Sequence, residues 1–259
     1  FHIEATLSGV YYSTITASAN IALDSIPRAS GISMNAGTLG STATITISRA
    51  SSSFTHTITY KFVSAAGTIA AKTSETSVSW TPALTLGNQI PNTTSGTATL
   101  TCTTYNGSTS IGSKSISVKL SIPTSMMPTI TSLTATRVDG DVPSTWGIYV
   151  QTKSKAALSI HGAAGSYGSA IASYSITGGG FSGTSDTMTT GFLNTAGTIT
   201  FTATVTDSRG RTSAAKTVSI SVVSYSVPSF SSYLSQRCSS SGTLASDGTY
   251  IKASVSYSY

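Results

Sequence analysis

Charge is what this chain has least of. Asp, Glu, Lys and Arg make up 8% of its 259 residues, against roughly 25% in ordinary soluble domains. The 14 basic residues are scattered, as Lys61, Lys72, Lys114, Lys119, Lys153 and Lys155 show. A formal charge of +6 therefore leaves no footprint for nucleic acid, which needs Lys and Arg clustered along a groove or face. What the charge does imply is a mild attraction to anionic surfaces such as cell-wall polymers. Apolar runs are also missing: none approaches the roughly 18 residues that cross a bilayer, so no membrane span is expected. Phe1-His2-Ile3-Glu4 is not a signal peptide.

Two cysteines, Cys102 and Cys238, and three histidines, His2, His56 and His161, are too few and too dispersed for a zinc site. The cysteines fall in different modules of the repeat described below, so no disulfide between them is expected. Cys102 lies in the alternating run Thr97-Ala98-Thr99-Leu100-Thr101-Cys102 and reads as a small buried hydrophobe. A Gly-x-Ser-x-Gly elbow is lacking, and no local signal pairs a histidine with an activated nucleophile. Asp139-Gly140-Asp141 is the densest acidic cluster, but it lacks the longer Asp/Asn-rich loop of a calcium site and reads as a turn. The expectation is a chain that is not an enzyme, with no catalytic residue, cofactor or metal.

What takes the place of charge is hydroxyl. Ser and Thr fill more than a third of the chain, while Glu, Lys, Gln and Leu, the good helix formers, are scarce. Thr is β-branched and suits a pleated, half-buried surface. Runs such as Thr42-Ala43-Thr44-Ile45-Thr46-Ile47-Ser48, Thr57-Ile58-Thr59-Tyr60-Lys61-Phe62, Ser77-Val78-Ser79-Trp80, Ala157-Leu158-Ser159-Ile160, Ser173-Tyr174-Ser175-Ile176 and the stretch 198–205 alternate apolar and hydroxyl residues. This is the period of strands with one buried and one wet face. The fold class read from this pattern is all-β.

An internal repeat organises the strands. Pro128-Thr129-Ile130-Thr131-Ser132-Leu133-Thr134-Ala135-Thr136-Arg137 lines up with Pro228-Ser229-Phe230-Ser231-Ser232-Tyr233-Leu234-Ser235-Gln236-Arg237, and Pro27 precedes Pro128 by a similar interval. The spacing, about 100 residues, is that of an immunoglobulin-like β-sandwich. The division that follows is residues 1–26 as the last strands of a preceding β domain, 27–122 as module 1, 123–226 as module 2, and 227–259 as the start of a truncated module 3. Short junctions at Ile122-Pro123 and Val227-Pro228 restrict the backbone on both sides of the bond, so a semi-rigid rod is expected.

The last hairpin of each module has its own turn chemistry: Asn106-Gly107 at the tip in module 1 and Asp207-Ser208-Arg209-Gly210-Arg211 in module 2. The second segment is the most distinctive charged stretch, and it has two readings. In one, Asp207 hydrogen-bonds the turn backbone and the hairpin is simply well made. In the other, Arg209 and Arg211, which can fork to carboxylate or phosphate, make with Asp207 a contact for a partner or an anionic glycan, and Tyr105 and Asn106 do the same on module 1. Trp80 and Trp146 admit a sugar-stacking role but read first as sandwich fillers.

Taken in order along the chain, several segments resemble a family of minor structural tail proteins of long-tailed, siphovirus-type phages of Gram-positive bacteria. They are 23–30, Ser79-Trp80-Thr81-Pro82 with Ile90-Pro91-Asn92, 103–108 with 111–114, Tyr149-Val150-Gln151, Lys153-Ser154-Lys155, Ala164-Gly165-Ser166-Tyr167-Gly168 and 206–211. The resemblance implies a virion component at the tail tip, baseplate or side fibre, with other phage tail proteins and host cell-wall polysaccharide as partners. It transfers no catalytic residue. The modules would act as spacers or weak host-surface adhesins. Two rivals remain: a bacterial surface adhesin or stalk, and an accessory carbohydrate-binding region of a secreted hydrolase. Few charges guard the sheet edges, so covered edges and a homo-oligomer, trimeric as in many fibres, are expected.

Overall fold

Threonine alternating with an apolar residue builds the first sandwich strand by strand. In the computed structural model, which describes residues 28–138 and 141–259, the chain divides into two compact units, one of residues up to Gln89 with Ser95–Ser121, the other of Ile90–Thr94 with Ile122–Tyr259. The tail expected at 1–26, Pro27 and the Asp139-Gly140 pair lie outside the described residues.

Unit 1 contains β1 (Gly31–Ser33), β2 (Gly37–Thr38), β3 (Ala43–Ser48), β4 (Phe54–Phe62), β5 (Ala65–Thr73), β6 (Ser77–Trp80), β7 (Ser95–Asn106) and β8 (Thr109–Ser121). They form a three-stranded sheet in the order β1-β3-β6 and a five-stranded sheet in the order β2-β8-β7-β4-β5. All neighbours are antiparallel except β2, which runs parallel to β8 through Gly37 opposite Leu120. The opening segment thus begins in one sheet and crosses to the other, an arrangement that closes an immunoglobulin-like sandwich at both ends of its strand order. Burial follows the alternation: Ile45 and Ile47 on β3, Phe54, Ile58 and Phe62 on β4, Ala98, Leu100 and Cys102 on β7, and Val118 and Leu120 on β8 are buried, with Trp80 closing β6. The Trp80 ring sits 5.2 Å from that of Tyr60.

Unit 2 repeats the plan. Its strands are β9 (Ser132–Val138), β10 (Tyr149–Val150), β11 (Lys155–His161), β12 (Ile171–Gly178), β13 (Phe181–Gly183), β14 (Thr187–Thr189), β15 (Gly197–Asp207), β16 (Lys216–Val223), β17 (Ser229–Cys238) and β18 (Tyr250–Ser258). The sheets are β14-β11-β9, β10-β16-β15-β12-β13 and the two-stranded β17-β18. As in unit 1, the short β10 lies parallel to the last strand of its sheet, Tyr149 opposite Val222. Leu133, Leu158 and Ile160 of the smaller sheet meet Ile176, Ile199, Phe201, Ala203 and Val205 of the larger in one core, which Leu193 joins from a loop.

Hydroxyls do on the outer faces what charges do elsewhere. Thr101 lies opposite Ser115 across β7 and β8, and Thr200 opposite Ser219 across β15 and β16; in both pairs the side-chain oxygens are 2.8 Å apart. Such cross-strand pairs contribute about 0.2–1 kcal/mol each. Sheet edges are blunted without charge. Most edge strands run only two to four residues, and the nine-residue edge strand β5 is broken by register shifts against β4 at His56/Ile58 and Ile58/Thr59, beside Lys72 at φ 49°. Bulges of this kind turn an edge away from further pairing, so part of the protection expected from neighbours is built into the strands.

Two expectations about single residues separate here. Trp80 is buried, whereas Trp146, expected in a core, is 61% exposed. It ends the short 3-10 turn Ser144–Trp146, so strand alternation does not carry its ring inward. Replacing Phe201 by Ala should cost about 3–5 kcal/mol of unfolding free energy, and Thr200→Ala less than about 1 kcal/mol; denaturant titration of the two variants measures the contrast between inner and outer phases.

Candidate functional site

The five residues singled out in the sequence occupy the tips of two hairpins. The β7–β8 hairpin of unit 1 turns at Gly107, whose φ of 59° is the left-handed conformation that Asn-Gly favours. Tyr105 and Asn106 stand beside it, Asn106 exposed and Tyr105 half-buried. The ammonium group of Lys72 lies 2.9 Å from the centre of the Tyr105 ring, a cation held against the negative face of an aromatic. Positive φ at Lys72 and the bond from its backbone N–H to Thr57 Oγ1, 3.2 Å, bring that side chain to the end of β5 near the tip. This places a cation, a ring and an exposed amide at one corner of the unit.

The second tip, in unit 2, is arranged differently. Asp207 Oδ1 accepts from the backbone N–H groups of Arg209 and Arg211 at 3.0 and 2.9 Å, and Gly210 closes the turn at φ 77°. The two arginines then point away from solvent into carbonyl oxygens. Arg209 donates through Nε to Ile90, through Nη1 to Ser166 and through Nη2 to Tyr167, at 3.2, 2.6 and 2.6 Å. Arg211 donates through Nη1 to Pro123 and, at 3.2 Å, to Met126, and through Nη2 to Ile122 at 2.8 Å. Ser208 Oγ adds a bond to Pro91 O at 2.7 Å.

Asp207 and Arg209 are nearly sealed, at 1% and 7% exposure. Burial lowers the Arg209 pKa from its ordinary value, the Asp207 carboxylate works against that shift and Arg211 adds to it. With six carbonyl oxygens drawn together by two guanidinium groups, the turn gathers segments 90–91, 122–126 and 166–167 of unit 2. The donors that the sequence offered to a glycan are used on the protein's own backbone. These contacts span 42 to 119 residues, a separation at which no local motif signals them.

A buried polar pair in unit 1 was also invisible in the sequence. His56 Nε2 lies 2.9 Å from Ser30 Oγ, and the Ser30 N–H donates to Thr104 Oγ1 at 2.9 Å. The pair has the Ser–His distance of a nucleophile and its base, yet His56 and Thr104 are fully buried and Ser30 is 2% exposed, so no substrate reaches the hydroxyl. Burial holds the His56 pKa below its ordinary value, with Arg49 adding to the effect and the Thr73 backbone opposing it. No group of three or more metal-ligating side chains occurs among the described residues, Cys102 and Cys238 are both free thiols, and Asp141 pairs with Lys153 at 3.3 Å.

The family model described as "Siphovirus protein of unknown function (DUF859)" matches residues 1–246. The chain belongs to this siphovirus family. No curated protein matches the sequence. Among solved structures, the fibronectin(III)-like modules of Clostridium thermocellum CbhA are 12% identical, covering 75% of this chain and 95% of theirs with a TM-score of 0.29. A two-domain fibronectin type III segment of chicken tenascin is also 12% identical, covering 75% of this chain and 98% of that one, with a TM-score of 0.34. Among the described residues, no helix of this family member is long and apolar enough to cross a membrane.

Two outcomes are expected. Arg209→Ala removes the donor to Tyr167 O and the shorter of the two bonds to Ile90 O, while Ser166 O keeps Ser169 N–H and Oγ. A buried carbonyl left without a donor costs about 1–3 kcal/mol, so the thermal midpoint should fall, with Arg209→Lys recovering little because one ammonium cannot serve three carbonyls at fixed angles; calorimetry of the variants checks this. For His56, whose folded pKa is depressed, the unfolded chain binds more protons, so its contribution is fully present above the unfolded pKa of 6.5 and is lost as pH falls below it. Denaturant midpoints should drop on acidification through that window, and His56→Gln should flatten the dependence.

Proposed function

We propose that this siphovirus-family chain is a structural component of the phage tail, at the tip, baseplate or a side fibre, in which immunoglobulin-like modules act as spacers and touch host cell-wall polysaccharide weakly and many times. The observation that carries the reading is the family match over nearly the whole chain, joined to two sandwich units in which Asp207, Arg209 and Arg211 bond to the protein's own backbone. On this reading the protein is not an enzyme, its partners are other tail proteins, and its hosts are Gram-positive bacteria. The module limits are 27–122 and 123–226. Weak single contacts suffice, because repeated display of the same module on one particle multiplies their effect.

Of the five candidate contact residues, Tyr105 and Asn106 are the ones assigned to glycan. They stand at a hairpin tip with Lys72, and ring, amide and cation together suit a polyhydroxylated, partly anionic polymer. Asp207, Arg209 and Arg211 serve instead to shape unit 2.

Immunogold electron microscopy of phage particles with an antibody against residues 28–226 tests the location. Label on the tail tip or fibres is the expected result. Unlabelled particles beside decorated bacterial surfaces would replace the tail reading with that of a bacterial adhesin.

A further inference from the structure

The two faces of the β17–β18 ribbon differ, one of them carrying most of its large apolar side chains. Phe230 lies opposite Tyr257, Tyr233 opposite Val255, Ser235 opposite Ala253 and Arg237 opposite Ile251. The alternate positions are Ser232 with Ser256, Leu234 with Ser254, Gln236 with Lys252 and Cys238 with Tyr250. The first face is open: Phe230 is 80% exposed, Ile251 74%, Tyr233 68% and Tyr257 63%. A two-stranded ribbon is marginal by itself, and a contiguous exposed apolar patch marks an interaction surface.

The β9–β11 pair tells what kind of surface it is. Residues 128–137 and 228–237 repeat in sequence, and their pairing repeats too: Leu133 opposite Ile160 and Arg137 opposite Ala156 in one, Tyr233 opposite Val255 and Arg237 opposite Ile251 in the other. Both arginines turn back onto carbonyls of the loop that follows their own strand, Arg137 to Pro143 and Ile148, Arg237 to Gly248. In β9–β11 this face is buried. Ile130, Leu133, Leu158 and Ile160 pack in one core with Ile176, Ile199 and Phe201 of the five-stranded sheet. Ile130 is 6% exposed, and its counterpart Phe230 is 80% exposed.

We propose that the face of Phe230, Tyr233, Ile251, Val255 and Tyr257 is the inner face of one sheet of a third sandwich, to which residues 227–259 contribute β17 and β18, and that it is covered by a β-sheet of the five-stranded kind, apolar at every second position on the side that meets it. The chemistry follows from the repeated pairing: a face in the same register is already closed by such a sheet in β9–β11. Three aromatic rings, which bury roughly 150–250 Å² each, supply most of the contact. The inference stands independently of the tail assignment.

The test joins a copy of residues 165–226, the source of the five-stranded sheet apart from β10, to the chain after Tyr259, in step with the repeat. Amide hydrogen exchange in β17 and β18 should slow by about 100-fold or more relative to the 259-residue chain, and Tyr233→Asp with Ile251→Asp should abolish the protection. Unchanged exchange in the extended chain would overturn the proposal. A second measurement needs no extension: an apolar fluorescent dye should bind the 259-residue chain and lose most of its signal with Tyr233→Ser and Ile251→Ser. Absence of dye binding, or a concentration-dependent dimer of the 259-residue chain that protects the ribbon, would also overturn it, the latter by assigning the face to a second copy.

Discussion

Burial of every second residue of the central strands of the two sandwiches, β4 and β7 in one and β11 and β15 in the other, is the constraint on which the rest of the molecule depends. Ile58, Phe62, Leu100 and Leu120 in unit 1, and Leu158, Ile176, Phe201 and Val205 in unit 2, are all but removed from water, each contributing about 1.5–3 kcal/mol of transfer free energy. A slip of one residue in any of these strands would send its buried set to solvent and a row of hydroxyls inward. The register is therefore fixed by packing. The outer faces are then free to carry Thr and Ser in place of charge, because their task is only to be wet and to pair across strands.

The polar groups that do enter the interior show what a charge-poor chain does with its few ions. Asp207 orders the turn, and the turn presents Arg209 and Arg211 to six carbonyl oxygens. Three of the six, on Ile90, Pro123 and Ser166, also accept from a backbone N–H of their own turn, at 3.5, 3.1 and 3.1 Å, and leaving a buried carbonyl short of donors is costly. Two guanidinium groups with five donors each meet this need with few residues. On a smaller scale, His56 and Thr104 hold Ser30 through its hydroxyl and its backbone N–H. Chemistry that looks functional in the sequence, charge and histidine, is used here to keep loops in place.

Much of this fold was legible before any coordinate was known. The alternating runs 42–48, 77–80, 157–160 and 198–205 fall on β3, β6, β11 and β15, since period-2 patterning and one-sided burial are the same physical fact. Strand β5 was missed because Ala65-Ala66-Gly67-Thr68-Ile69-Ala70-Ala71-Lys72-Thr73 does not alternate; its pairing is an edge effect of β4. The two-residue strands β2 and β10 were missed because a parallel crossing between sheets leaves no local mark. At the candidate site, the sequence located both hairpin tips and the left-handed glycines. It could not tell whether Arg209 faces water or carbonyls, because the acceptors lie up to 119 residues away.

The central claim, that the inner phase of the strands closed into the two sandwiches is sealed from solvent, is tested most directly by the reactivity of one thiol. Cys102 sits on the inner phase of β7 at 0% exposure, and burial raises its pKa while a hydrogen bond with Thr104 opposes the shift. Its rate of labelling by a neutral thiol reagent, measured in native buffer and in rising denaturant, should be negligible at first and then track global unfolding. Labelling at the rate of an unfolded peptide thiol under native conditions would contradict the account.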